Sequence, residues 1–183
     1  RKALSGQGAE IFFSIHTPYM PIREFSLASE SPRIRRETVE SVKKCVELAE
    51  ESGAQIVNTH PGGIVKATSD GFRNPAIKKV ALDRLKESLV DLVGWLEGRG
   101  VTLSVENIPY PLEELLQDFS PLIGIFPGDF LELVSDIGSK NLGVTVDFCH
   151  LWITHKTLRE FIAIRNSASQ NESIGITDYR GLS

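Results

Sequence analysis

Three histidines and two carboxylates stand where short apolar runs give out. Val144-Thr145-Val146 ends in Asp147 with His150 three residues on; Phe12 to Ile15 ends at His16, Ile56 to Thr59 at His60, and Val101 to Val105 at Glu106. Imidazole and carboxylate together form a donor set suited to zinc, manganese or a similar divalent ion. A carboxylate straight after Val101 to Val105 is also expensive to bury without a cation or a donor beside it. One strand-end histidine is ordinarily a hydrogen-bonded rim residue, and Asp147 alone is a sufficient helix cap. It is the recurrence, an apolar run and then a ligand-type residue about every 41 to 46 positions, that points to chemistry.

Intervals of that length hold a loop, a helix and a returning strand. The runs at Ile11 to Ile15, Ala54 to Thr59, Val101 to Val105 and Asn141 to Asp147 are too continuously apolar for half-solvated strands and predict strands buried on both faces. Ser31-Pro32 is a capping hydroxyl followed by proline at the first helical position. It opens a helix with an apolar stripe of Ile34, Val39, Val42, Val46 and Ala49 that stops at Gly53. Asn74-Pro75 repeats the signal, and Ile77, Val80, Leu85, Leu89, Leu92 and Leu96 mark a second helix before Gly98-Arg99-Gly100. Leu112 to Pro127 reads as a long lid or a short helix over the strand ends, and Asp129 to Ile137 as a short helix closed by Gly138. A further helix is expected from Thr157 to Ile164, and Ser173 to Asp178 as a fifth, weaker strand. If strand geometry continues past Asp147, Cys149 points away from its neighbours into packing, while His155 and the Arg33, Arg35, Arg36 cluster face solvent.

Strands alternating with helices predict an α/β parallel sheet with right-handed crossovers. Polar residues at the C-terminal ends of successive strands favour a (β/α) TIM-type barrel over a doubly wound sheet. His16, His60, Glu106, Asp147 and His150 then converge on one rim as candidate metal ligands.

At these residues the chain resembles the xylose isomerase-like TIM-barrel superfamily, which holds sugar phosphate isomerases/epimerases and the endonuclease IV nucleases. His16-Thr17-Pro18-Tyr19 with Ser26-Leu27-Ala28-Ser29 is similar to the third-strand segment of endonuclease IV proteins, and Asn58-Thr59-His60-Pro61-Gly62-Gly63 to their fourth. Val105-Glu106-Asn107 and Asp147-Phe148-Cys149-His150 resemble the fifth- and sixth-strand motifs of both branches. Ile108-Pro109-Tyr110 and Leu151-Trp152-Ile153 depart from the nuclease pattern, and Gly175 stands where the family's seventh strand carries a histidine.

The resemblance implies a metal-dependent sugar or sugar-phosphate isomerase/epimerase, with Glu106 and Asp147 on one ion and Glu106 moving a proton. His150 would hold a substrate oxygen, so that Glu106 and His150 are the candidate catalytic residues, with His60 and His16 as rim contacts. The alternative it implies is a zinc-dependent hydrolase of abasic-site DNA, with His16 and His60 on one zinc, Glu106 bridging to a second with Asp147, and His150 on a third. A non-catalytic barrel remnant is the third expectation. An eight-unit barrel takes about 250 residues, so residues 1–183 are expected to be a single partial domain of about five units. The first two strands and the last would be missing, which predicts a fragment or a barrel closed by a second copy; the absence of Met at position 1 agrees with the former.

Composition bounds the partners. A chain that is 41% hydrophobic and 24% charged is ordinary for a globular domain. Its net charge of −4 argues against a surface that holds nucleic acid by phosphate neutralisation. No apolar run reaches the roughly 20 residues of a membrane span, and the N-terminus lacks a signal-peptide core. Two cysteines, Cys45 and Cys149, make no disulfide framework, so a cytoplasmic protein with both reduced is expected.

Overall fold

The computed structural model describes residues 12–19, 24–62, 75–110, 123–125 and 127–169. Strands and helices alternate: β1 (Ser14–His16), α1 (Pro32–Ser52), β2 (Ile56–Thr59), α2 (Pro75–Trp95), β3 (Thr102–Glu106), α3 (Gly128–Ile137), β4 (Leu142–Thr145) and α4 (Phe148–Ser169). The four strands form one parallel sheet in the order β1-β2-β3-β4. Each strand therefore lies beside the next in sequence, and every C-terminal end opens on the same side. This is the α/β arrangement of a partial TIM-type barrel.

The helix signals are built as the sequence dictates. Ser31 is the N-cap of α1, its hydroxyl accepting from the Ile34 N–H, and Pro32 follows at the first helical position. At the other end Gly53 takes φ 80°, the left-handed conformation that a side chain would resist, and its N–H bonds the Ala49 carbonyl. Val39, Val42, Val46 and Ala49 are buried as expected, whereas Ile34 is half-buried and Thr38 takes the inner position. Thr38 can do so because its hydroxyl donates to the Ile34 carbonyl and accepts from the Ser26 N–H, leaving no polar atom stranded. On α2 a similar exchange occurs: Leu85, Leu89, Leu92 and Leu96 are buried, but Val80 faces outward and Ala81 fills the inner site.

The core lies between the helices and one face of the sheet. Val57, Leu103, Val105 and Leu142 meet Val42, Val46, Leu85, Leu89, Leu92 and Phe130 there. The opposite face corrects the expectation of strands buried on both sides. It carries Asn58, Ser104 and Thr145, and it leaves Ile56 exposed, as Phe12 and Phe13 are just before β1. The reason is local chemistry: the Thr145 hydroxyl donates to Asn58 Oδ1 at 2.8 Å, so the Ser104 hydroxyl must be the donor in its 2.6 Å bond to Thr145. A polar layer of this kind satisfies itself across three strands without apolar cover.

Boundaries shift by one to three residues at all four strands, most at the first and the last. β1 starts at Ser14 rather than Ile11, and β4 stops at Thr145 because Asp147 already caps the next helix. That helix, α4, begins at Phe148 instead of Thr157, so the expected loop after His150 is its first turns. The expected lid over Leu112 to Pro127 falls largely outside the described residues, as do the expected fifth strand with Gly175, Asn74 and Gly63.

Candidate metal centre

The parallel register brings all five sequence-predicted residues to one rim. His16 and Glu106 are the last residues of β1 and β3, His60 directly follows β2, and Asp147 and His150 straddle the start of α4. Glu106 is at the centre. Its carboxylate lies 3.5 Å from His16 Nε2, 3.9 Å from His60 Nε2 and 3.6 Å from His150 Nδ1, and Asp147 Oδ2 is 3.7 Å from His150 Nε2. Two overlapping trios result, His16-His60-Glu106 and Glu106-Asp147-His150, each offering ligand atoms within 4.8 Å of one another.

Hydrogen bonds to the main chain decide which ring nitrogens are free. A carbonyl oxygen only accepts, so His16 Nδ1 must donate its proton to the Thr17 carbonyl at 2.6 Å, and His150 Nδ1 to the Asn107 carbonyl at 2.7 Å. Each ring, when neutral, then keeps its lone pair on Nε2, the arrangement in which histidine ligates. The buried Nε2 of His60 has no hydrogen-bond partner among the described residues, although it points at Glu106. An orphaned buried nitrogen and two carboxyls brought close together, Glu106 and Asp147, are the environment a divalent cation would satisfy. The donor set suits zinc or manganese.

Electrostatics divides the roles. Burial, reinforced by the His16 and His150 charges nearby, lowers the pKa of His60 to about 4, so it is neutral and ready to ligate at ordinary pH. Burial also raises the Glu106 carboxyl, with Asp147 adding to the rise, while His16 and His150 pull the other way. Asp147 is lowered, chiefly because its carboxylate accepts the His150 backbone N–H. That bond makes Asp147 the N-cap of α4, and it leaves Oδ2 facing the site: cap and candidate ligand are the same residue.

Other expectations change. Cys149 is exposed rather than packed, because residues 148–150 form a helical turn and not an extended strand. His155 is exposed as expected, although on α4. Arg33 and Arg36 face solvent, but Arg35 is part-buried and donates to the Ser29 carbonyl at 2.8 Å. Two site residues went unassigned in the sequence. Asn107 is fully buried and bonds Asp147 in both directions, and Tyr19 stacks edge-on against His16 at 5.7 Å and tilted over His60 at 5.2 Å. The signal for each was its place in a ligand motif, one residue after Glu106 and three after His16. Gly62 holds the His60 loop close: with φ 79°, a Cβ there would fall 2.3 Å from the Ser26 hydroxyl oxygen.

Comparison with known proteins agrees with this fold. Residues 1–178 match the xylose isomerase-like TIM barrel family. The uncharacterised protein MJ1311 of Methanocaldococcus jannaschii is 32% identical over 141 residues, covering 77% of this chain and 42% of that protein. A second uncharacterised protein of that organism, MJ1614, is 28% identical over 149 residues, 81% of this chain and 51% of its own length. The chain thus spans about half the length of the curated relatives it matches. Among solved structures, a D-tagatose 3-epimerase-like protein superposes with TM-score 0.61 at 30% identity over 79% of this chain and 48% of that one. Endonuclease IV from Thermus thermophilus does so with TM-score 0.50 at 23% identity, over 75% and 39%, a likeness of fold alone. With its alternating parallel strands, its converging rim and this match over nearly its whole length, the chain belongs to the xylose isomerase-like TIM barrel family.

Proposed function

We propose that this chain contributes the metal-binding half of a sugar or sugar-phosphate epimerase or isomerase. The observation that carries the reading is Glu106: a buried carboxyl, raised in pKa, at the centre of three imidazoles and a second carboxylate. Such a group, made more basic by its burial than an exposed carboxylate, can take a proton from the carbon beside a carbonyl and return it. Asp147 and Glu106 would hold a zinc or manganese ion, which when bound supplies Lewis-acid polarisation of a carbonyl oxygen. His150, its Nδ1–H committed to the Asn107 carbonyl, presents Nε2 to a substrate oxygen or to the ion. His16 and His60 line the rim beside them, and Tyr19 offers an aromatic face there for the apolar side of a sugar ring. The 30% identity to a D-tagatose 3-epimerase-like protein supports the same substrate class.

A second reading rests on the His16-His60-Glu106 trio, which gives a second set of ion ligands that one-ion sugar chemistry does not need. Hydrolysis of abasic-site DNA, with a cluster of ions on a phosphodiester, would use it. Among the described residues no helix is long and apolar enough to cross a membrane, so neither reading involves a spanning segment there. Two assays divide them. Exchange of a ketose C3 proton with deuterated solvent, stopped by chelator and by Glu106→Gln, is the result the epimerase reading expects. Chelator-sensitive cleavage of an abasic duplex without such exchange would replace it with the nuclease.

A further inference from the structure

We propose that Asn107 is the positioning residue that assembles the Glu106-Asp147-His150 ion site, independently of the His16-His60 side. The inference rests on the metal-centre reading and goes beyond it by assigning the device that builds one trio and not the other. Strand pairing between β3 and β4 runs out at this point, its last main-chain contact being Asn107 N–H to the Thr145 carbonyl at 3.4 Å. Beyond it, the Asn107 side chain takes over as a substitute rung. Its Nδ2 donates to the Asp147 carbonyl at 3.1 Å and its Oδ1 accepts the Asp147 N–H at 2.7 Å, so both main-chain groups of that ligand are fixed by one amide. The Asn107 carbonyl meanwhile receives the His150 Nδ1 proton at 2.7 Å.

One residue therefore sets three ligands. It follows Glu106 directly in the chain, it fixes where the Asp147 backbone leaves β4, and it selects the His150 tautomer whose Nε2 is free. With Asp147 held, its Oδ1 caps α4 through the His150 N–H at 2.9 Å, which turns Oδ2 toward His150 Nε2 and keeps the two ligands in step. Only an amide does this, since it carries a donor and an acceptor on one planar group, and at 0% exposure neither is met by water. Glu106 is shared by both trios, but among the described residues Asn107 makes no hydrogen bond to His16 or His60: His16 is oriented by its own neighbour, through Nδ1 to the Thr17 carbonyl.

Asn107→Ala removes the two side-chain bonds and leaves the peptide carbonyl in place. The test is a zinc titration of the chelator-treated protein, followed by nitrogen-15 signals of the individual histidine rings. At His150 the zinc midpoint should rise by about 10- to 100-fold, the range for losing a partner that orients a ligand, while His16 moves less than about threefold. In the metal-free variant the His150 ring should keep its Nδ1–H tautomer, as His16 keeps its own, because both bonds are to peptide carbonyls that the substitution leaves in place. Ser104→Ala, which removes a different polar contact between the same two strands, should leave both rings as in the wild type. An unchanged His150 midpoint overturns the proposal. So does a common shift at His16, His60 and His150, or a variant that fails to fold, since either makes Asn107 a general structural bond. A wild-type protein whose rings all ignore zinc would instead refute the metal centre itself, and the clamp with it.

Discussion

Acidifying the metal-free protein should destabilise it through His60. In the folded chain this imidazole takes a proton only near pH 4, against 6.5 for an ordinary histidine, because it is buried between His16 and His150. Between those values the unfolded chain binds a proton that the folded chain refuses, so stability falls by about 1.4 kcal/mol for each pH unit of acidification. Across the whole interval the loss is on the order of 3 kcal/mol, a large share of the roughly 5–15 kcal/mol typical of a domain. Glu106 acts with the opposite sign. Its raised folded pKa contributes stability that is complete below its ordinary value of 4.5 and disappears as pH rises through the folded one, so acidification restores part of what His60 loses. Asp147 is lowered, and its contribution is present above 3.8 and lost only as pH falls further, outside this window. Comparison with His60→Gln isolates the histidine. Urea unfolding in chelator, from about pH 7.5 to 4.5, should show the wild type losing about 2 to 3 kcal/mol relative to the variant. Parallel stability curves for the two proteins would refute the reasoning, because they would mean that His60 accepts its proton as freely folded as unfolded.

The remaining predictions separate site from scaffold. Glu106→Gln should abolish ion binding and turnover, yet raise the metal-free melting temperature at about pH 7, since it replaces a buried charge that the fold disfavours; elemental analysis and calorimetry check the two halves. Gly62→Ala meets both a positive φ and the Ser26 side chain, and should cost about 2 kcal/mol or more by urea unfolding while displacing His60. Leu89→Ala, in the fully buried face of α2, should cost about 2 to 5 kcal/mol in the same assay without changing the ion count, because it lies in the core away from the rim.

Much of this was legible in the chain because the signals are local. Ser31-Pro32 and Gly53 bracket α1 through chemistry that acts within a few residues, and the spacing of His16, His60 and Glu106 follows from the length of a βα unit. Where the reading failed, the deciding partner was distant in sequence. Thr38 displaces Ile34 from the inner face of α1 because Ser26 supplies a donor, and the polar layer of Asn58, Ser104 and Thr145 exists only once three strands are side by side. Cys149 was misplaced because strand geometry was carried past Asp147, whereas Asp147, a cap candidate as well as a ligand candidate, already starts α4. Asn107 escaped assignment because its role is defined by residues 40 and 43 positions away.

Anomalous diffraction at the zinc and manganese edges, from crystals grown with each ion in turn, tests the central claim most directly. The account predicts a peak about 2.0 to 2.2 Å from a Glu106 oxygen and within the same reach of Asp147 or His150, absent from Glu106→Gln crystals. Ion peaks elsewhere in the molecule, with these five residues bonded only to one another and to water, would contradict it.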